Sequence, residues 1–76
     1  MVRLIEYYQE RNGTYSVAQG DRLNIKLPYY QIARSIGITY EECVRLFKTL
    51  KGIVIYRRGG TIIVRDWEQL ATAIHE

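Results

Sequence analysis

The chain has 76 residues and a mass of 9.0 kDa, which leaves room for one small domain over residues 1–76 and excludes two. Hydrophobic residues make up 47% and charged residues 25%, a balance that excludes a disordered chain, and the apolar runs at 53–56 and 62–64 are too short to span a bilayer. The net charge of +3 is concentrated in residues 28–65, where seven Lys and Arg face two Glu, which fits a polyanion-binding surface or a merely solvated basic face.

A short amphipathic helix is predicted over residues 2–11, because side chains recur there at three- and four-residue intervals. The residues on this spacing are Leu4, Ile5, Tyr7, Tyr8 and Arg11. Asn12 and Gly13 tolerate a left-handed backbone, so we expect them to end the helix.

A polar loop and then one short strand are predicted next. Gly20 and Asp21 mark a second break in the pattern, and the residues between the two breaks are expected to form the loop. Leu23, Ile25 and Leu27 alternate with polar residues, which is typical of a strand with one buried side.

Two helices joined by a very tight turn are predicted from Pro28 onward. Pro28 suits a first helical turn, since the amide hydrogen that it lacks would have no partner there, and Gly37 is the expected left-handed terminator. The apolar positions of this first helix are Tyr29, Ile32, Ala33 and Ile36. Thr39 and Glu42 match a capping box, so a second helix is predicted over residues 40–51.

The second helix has two chemically different faces. Its buried stripe is expected to hold Cys43, Leu46, Phe47 and Leu50. Its opposite face carries Tyr40, Glu41, Val44, Arg45 and Lys48. Cys43, on the buried stripe, is expected to be a small core residue and not a redox sensor.

A hairpin with a basic tip and a last helix complete the chain. Two β-branched runs, at 53–56 and 61–64, are separated by Arg57-Arg58-Gly59-Gly60. Asp66 with Gln69 repeats the capping pattern. The apolar face of the last helix is expected to hold Trp67, Leu70, Ala71 and Ile74, and His75 is expected to be a frayed terminal side chain.

This order of elements predicts a winged helix-turn-helix, an α+β fold with a three-helix core, a β-hairpin wing at 53–64, a short N-terminal strand and a C-terminal helix. In that fold the second helix enters the DNA major groove, because a helix about 10–12 Å across fills a groove about 12 Å wide. Arg45 can then pair with O6 and N7 of guanine, and Glu41 can accept from the exocyclic amine of cytosine.

Residues 27–48 resemble the DNA-binding domain of the cyclic-AMP receptor protein and fumarate-nitrate regulator family of bacterial transcription factors. That family usually shows a Leu-Thr-x-x-x-Leu-Ala first helix, a glycine, and then Ser-Arg-Glu-Thr-Val-x-Arg. The matching positions are Leu27, Ile32, Ala33, Gly37, Thr39, Glu41 and Arg45. Tyr40 departs from the pattern, since it stands where the family usually has a base-reading Arg, and Pro28 replaces a capping Thr. The resemblance implies that Glu41 and Arg45 contact bases and that Thr39 contacts a phosphate.

The predicted interface therefore has two classes of residue. The predicted base contacts are Tyr40, Glu41, Val44 and Arg45. The predicted DNA-backbone contacts are Tyr29, Tyr30, Arg34, Thr39, Lys48, Arg57 and Arg58. Plainer roles stay open. Glu41 and Arg45 also fit a surface ion pair, and Tyr29 fits a core position. Arg57 and Arg58 fit a charged tip that only keeps the hairpin edge soluble.

An enzyme is not expected, because no histidine, cysteine or carboxylate pair falls at positions that would converge in a pocket. One cysteine and one histidine are also too few for an internal disulfide or a structural zinc site, so a cytoplasmic protein without metal or cofactor in this segment is expected. The alternative function is a winged helix that binds another protein and not DNA.

The expected partner is double-stranded DNA with a palindromic site, and no membrane. Members of the resembled family carry an N-terminal ligand-binding β-roll and a long dimerisation helix, which 76 residues cannot hold. We therefore expect the C-terminal effector domain of a longer regulator, the alternative being a naturally minimal relative. A homodimer is expected in the full-length context, where a sensor domain could bind an effector, whereas this fragment is expected to be monomeric and to bind weakly.

Overall fold

The computed structural model describes residues 2–73, which form four helices and one four-stranded antiparallel sheet. The helices are α1 (Val2–Asn12), α2 (Tyr29–Ile36), α3 (Tyr40–Thr49) and α4 (Trp67–Ala73). The strands are β1 (Thr14–Val17), β2 (Gly20–Leu23), β3 (Val54–Arg57) and β4 (Thr61–Val64), in the spatial order β1-β2-β4-β3. The predicted α+β winged helix-turn-helix is confirmed. Within the described part of the chain, no helix is long and apolar enough to cross a membrane.

Helix α1 follows its prediction to within one residue at its end. Ile5 is fully buried and Tyr8 packs against the core, but Tyr7 is 51% exposed and does not belong to the buried face. The Tyr7 ring instead lies edge-on to Tyr8, and the Arg11 guanidinium lies 5.9 Å from its centroid. Gly13, at φ 77°, ends the helix in the left-handed conformation that its sequence predicts.

The polar loop predicted between the two breaks is wrong, because most of this segment forms strands β1 and β2. The strands pair antiparallel, with Tyr15 opposite Arg22 and Val17 opposite Gly20. The two-residue turn between them, Ala18-Gln19, has none of the Asn-Gly or Asp-Gly chemistry that identifies a hairpin in a sequence. The sheet is therefore larger than predicted, and β2 joins this hairpin to the wing by pairing with β4.

The strand predicted over residues 23–27 is also wrong, although its burial pattern is right. Leu23 and Leu27 are buried and Ile25 is half-buried, but β2 ends at Leu23. Beyond it the backbone makes isolated hydrogen bonds: the Leu27 N–H donates to the Gly60 carbonyl at 2.7 Å. Alternating burial thus arises here in a connecting segment that crosses to the wing turn, because no strand of the described residues pairs with it to form a ladder.

Helix α3 ends at Thr49, two residues before its predicted end, and β3 begins one residue later than its predicted run. The cause is the turn between them. The Leu50 carbonyl accepts from the Ile53 and Val54 N–H groups, and Gly52 adopts φ 92°, which reverses the chain directly into the wing.

The core lies between the sheet and the helices and includes the predicted stripe of α3, with Leu46 at its half-buried margin. In α4, Leu70 is fully buried and Trp67 is half-buried, and the Asp66 cap is confirmed by the Gln69 N–H, which donates to Asp66 Oδ1 at 3.0 Å. Ala71 is exposed, contrary to prediction, because α4 packs through Trp67 and Leu70, which lie on one side of this short helix. The expectations for Ile74 and His75 fall outside the described residues.

Candidate nucleic-acid interface

Helices α2 and α3 meet across the three residues 37–39. Pro28 precedes α2 in an extended conformation, with φ −64° and ψ 156°, and makes no side-chain cap. At the other end Gly37 adopts φ 74°, and the Ile38 N–H donates to the Ala33 carbonyl at 3.0 Å. This tight left-handed ending turns the chain straight into α3, which gives the predicted helix-turn-helix.

The start of α3 is fixed by the predicted capping box. The Glu42 N–H donates to Thr39 Oγ1, and the Thr39 N–H donates to Glu42 Oε1, both at 3.1 Å. The hydrogen bond from the Thr39 backbone is the main cause of a lowered pKa for Glu42, and the nearby charge of Arg45 lowers it further. Thr39 is exposed, and because its oxygen accepts within the cap, its hydroxyl proton can still be donated to a phosphate.

Acid is expected to weaken this cap. Because the pKa of Glu42 lies below its ordinary value of about 4.5 in the folded protein, the stability it contributes is complete above that value and is lost as pH falls through the lowered folded pKa. Glu42→Gln keeps an oxygen that can accept from Thr39 but cannot titrate. Lowering the pH from about 6 to about 3 should therefore lower the melting temperature of the wild type more than that of Glu42→Gln. Thermal melting followed by circular dichroism measures both. Equal losses in the two proteins would contradict this role of the carboxylate.

The predicted outer face of α3 forms one shallow concave surface. Four of its residues are exposed and Val44 is half-buried. The residues lining this surface are Tyr40, Glu41, Val44, Arg45 and Lys48. The opposite side of the helix holds Cys43 and Phe47 in the core. The inward side chains therefore anchor α3 while the polar side faces outward.

Glu41 and Arg45 do not form the surface ion pair that was the alternative to a role in DNA binding. Among residues 2–73, neither side chain has a hydrogen-bond or ion-pair partner. Arg45 contributes only a longer-range charge interaction with Glu42. The outer face thus presents a carboxylate and a guanidinium whose hydrogen-bonding groups are available to a ligand.

The remaining predicted contacts lie on α2 and the wing. Tyr30, at 63% exposure, and Arg34 project from α2, and Arg57 and Arg58 are exposed at the wing tip. Tyr30 and the three arginines are therefore exposed, and no hydrogen bond or ring contact in the described part of the chain links them to the outer face of α3.

Tyr29 is the predicted residue that the structure connects most extensively. Its ring stacks on that of Tyr56 with centroids 3.7 Å apart and an angle of 13°, and it lies edge-on to Tyr40 at 5.8 Å and to Phe47 at 5.3 Å. Burial raises the pKa of Tyr29, and Tyr56 adds to the shift, so its phenol stays protonated to a higher pH than that of an ordinary tyrosine. We call Tyr29, Tyr40, Phe47 and Tyr56 the aromatic cluster.

Sequence reasoning missed Tyr56, which belongs to an apolar run predicted only as a wing strand. Its hydroxyl accepts the Tyr29 N–H at 3.2 Å, across 27 residues of sequence. Helical and strand periodicities describe neighbours in sequence, so neither links a wing residue to the first turn of α2. The one available signal is that tyrosine occurs in both helices of the helix-turn-helix and in the first strand of the wing.

Two of three comparisons with known proteins agree with this geometry. The model of the Crp-like helix-turn-helix domain family matches residues 2–73, whereas no match was found among curated protein sequences. Among solved structures, the chain is similar to the imidazole-bound form of CooA, a CO-dependent transcription factor from Carboxydothermus hydrogenoformans, with 26% identity and a TM-score of 0.73. That match covers 92% of this chain and 34% of CooA.

Two further structures show the same similarity. A double mutant of CooA from the same organism matches with 25% identity and a TM-score of 0.74, over 92% of this chain and 34% of that one. Oxidized CprK in complex with o-chlorophenolacetic acid matches with 19% identity and a TM-score of 0.74, over 92% of this chain and 29% of CprK. At that identity the CprK match shows the fold alone. The chain spans about a third of the length of these structures.

Proposed function

The chain belongs to the family of Crp-like helix-turn-helix domains, which act in DNA-binding transcription regulation, and from this premise we propose that it binds duplex DNA in a sequence-specific manner. In this proposal α3 enters the major groove and the wing contacts the DNA backbone. The observation that carries it is the outer face of α3, where Glu41 and Arg45 are exposed and have no partner among residues 2–73 while the other side is locked into the core.

The proposed base contacts follow from the chemistry of this face. The Arg45 guanidinium can donate to O6 and N7 of one guanine, and the Glu41 carboxylate can accept from the exocyclic amine of a cytosine. Val44 offers a methyl group to a thymine methyl, and Tyr40, 55% exposed at the start of the helix, offers an aromatic edge and a hydroxyl. A well-formed bidentate contact discriminates between bases by about 1–3 kcal/mol.

The proposed backbone contacts surround α3. Thr39 and Tyr29 supply hydroxyl donors near the helix start, and Lys48 supplies a cation at the other end of the outer face. The remaining contacts in the proposal are Tyr30, Arg34, Arg57 and Arg58. Such contacts set position and affinity without carrying sequence information themselves.

Arg58→Ala is expected to weaken binding to every duplex by a similar factor and to reduce the salt slope by about one, because it removes one phosphate contact. Fluorescence anisotropy over a range of salt concentrations measures both quantities. Arg65→Ala is the matched control, since it removes an exposed arginine just beyond the other end of β4. A changed sequence preference in Arg58→Ala would show instead that the wing reads bases.

Salt also separates DNA binding from the alternative of a protein-interaction module. If about five phosphates are neutralised, the logarithm of the affinity for duplex DNA should fall with the logarithm of salt at a slope of about −4 to −5. A chain that binds no duplex at low salt, or one whose weak binding lacks this slope, would contradict the proposal.

We further propose that tight binding needs two copies on a palindromic site, because helix-turn-helix dimers engage half-sites about 34 Å apart. Residues 1–76 alone should then sediment as a monomer and bind a single half-site weakly. A tight dimer formed by residues 1–76 in sedimentation would contradict this expectation.

A further inference from the structure

The wing is held against the helix-turn-helix at two separate points. At its turn, the Gly60 carbonyl accepts the Leu27 N–H at 2.7 Å. In strand β3, the Tyr56 ring stacks on Tyr29 and the Tyr56 hydroxyl accepts the Tyr29 N–H. The first contact joins backbone to backbone. The second involves the Tyr29 ring, which also contacts α3.

Tyr29 links the second contact to α3, because its ring touches both β3 and α3. Its ring has Tyr56 on one face and the rings of Tyr40 and Phe47 around it, so β3 and α3 together fix its orientation. Phe47 is buried and packs against Tyr56 as well, with centroids 5.4 Å apart. The Tyr29 ring is therefore held in one orientation by the rings packed around it, unlike a mobile surface side chain.

The orientation of the Tyr40 side chain depends on its contact with the Tyr29 ring. As the first residue of α3 it is 55% exposed, and its one ring contact within residues 2–73 is with Tyr29, at 5.8 Å and an angle of 84°. An exposed side chain without such a contact would sample several rotamers and lose that freedom on binding. Contact with a fixed ring lowers the entropy lost when Tyr40 meets a base.

We propose that Tyr56 is a positioning residue for Tyr40: acting through Tyr29, the wing strand sets the orientation in which α3 presents this aromatic side chain to DNA. This inference rests on the proposed function, because it concerns how one of the proposed base contacts is made. It assigns to β3 an effect on sequence preference without any contact between Tyr56 and a base.

Three variants separate the parts of the contact. Tyr56→Leu keeps apolar bulk against the core but removes both the stack and the hydroxyl, whereas Tyr56→Phe keeps the stack. Ile55→Ala is the matched control, because Ile55 is the next residue in β3, pairs with Ile63, and lies outside the aromatic cluster. Alternation along a strand places it on the opposite face of the sheet from Tyr56.

The first measurement needs no DNA. Nuclear Overhauser cross-peaks between the Tyr29 and Tyr40 rings report their contact in the free 76-residue chain. They should be lost in Tyr56→Leu and kept in Tyr56→Phe and Ile55→Ala. Intact cross-peaks in folded Tyr56→Leu would overturn the positioning role, whatever the protein binds.

The second measurement uses duplexes enriched by the wild type from a random pool, together with their single-base-pair substitutions. Tyr40→Ala should lose discrimination at one base pair. Tyr56→Leu should lose about three- to tenfold discrimination at that same pair, and the double variant should lose no more than Tyr40→Ala alone. Ile55→Ala should keep the wild-type preference.

The outcomes distinguish the inference from the proposed function. If the wild type enriches no duplex, sequence-specific binding fails, and with it the reading role of Tyr40. If the wild type enriches a sequence but Tyr56→Leu weakens all duplexes equally, or its loss simply adds to that of Tyr40→Ala, the proposed function stands and the positioning role is overturned.

Discussion

Gly60→Ala is expected to destabilise the fold by about 3 kcal/mol or more, because it combines backbone strain with a steric clash. Gly60 adopts φ 97°, a conformation that residues with a Cβ rarely take. An added Cβ would also lie 2.5 Å from the Pro28 nitrogen and 2.7 Å from the Leu27 carbonyl carbon, both backbone atoms that cannot swing aside. Relief would require the wing turn to move away from the start of α2. Urea unfolding followed by the fluorescence of Trp67, the only tryptophan, measures the loss.

Gly59→Ala is the matched control. Gly59 also has a positive φ, 89°, but an added Cβ there meets nothing within 4 Å. It carries the backbone strain without the clash, so a loss of about 1 kcal/mol is expected. Similar losses in the two variants would show that the close packing of the wing turn on residues 27 and 28 is unimportant for stability.

Arg45→Ala is expected to lower affinity for a selected duplex by about 1–3 kcal/mol while changing affinity for unrelated duplexes much less. The lost free energy corresponds to roughly 5- to 150-fold and should be concentrated at one base pair, because the guanidinium reads one guanine. Competition with duplexes substituted at each position measures where the preference is lost. Unfolding measurements should show little change, since Arg45 is exposed and has no hydrogen-bond or ion-pair partner among residues 2–73.

Lys51→Ala controls for the loss of one positive charge near the same helix. Lys51 is exposed just beyond the end of α3 and does not line the concave outer face. Any effect of its removal should be alike on selected and unrelated duplexes. If Arg45→Ala behaves in the same way, Arg45 is a phosphate contact and the proposed reading of guanine is wrong.

The helix-turn-helix could be predicted from the sequence because its determinants are local. The Thr39–Glu42 capping box, the Gly37 terminator and the apolar stripe of α3 all act within a few residues, and each occurs as predicted. The exposed outer face then follows from the period of the helix, since one face is committed to the core.

The N-terminal half of the sheet could not be predicted in the same way. A hairpin between β1 and β2 depends on pairing with β4 about 40 residues away, and its Ala18-Gln19 turn carries no strong local signal. Leu23, Ile25 and Leu27 alternate as a strand would, but the backbone beyond Leu23 has no partner strand in the part of the chain that the structure describes. Periodicity predicts which side chains are buried and leaves open what the backbone pairs with.

In the candidate site, too, the local features could be predicted from the sequence and the tertiary contacts could not. The five residues on the outer face of α3 line one surface as predicted, because a single helix places them there. The link from the wing to Tyr29 and Tyr40 is tertiary, and no spacing in the sequence reveals it. Whether each predicted residue touches a base or a phosphate stays a prediction.

Selection from random double-stranded oligonucleotides is the most direct test of whether the outer face of α3 contacts base pairs specifically. The wild-type chain and a Glu41→Ala/Arg45→Ala variant are taken through the same rounds at the same salt concentration. We expect the wild type to enrich one sequence motif and the variant, still folded, to lose the preference at the base pairs that Glu41 and Arg45 contact. Enrichment of the same motif by both proteins, or of no motif by the wild type, would contradict this expectation.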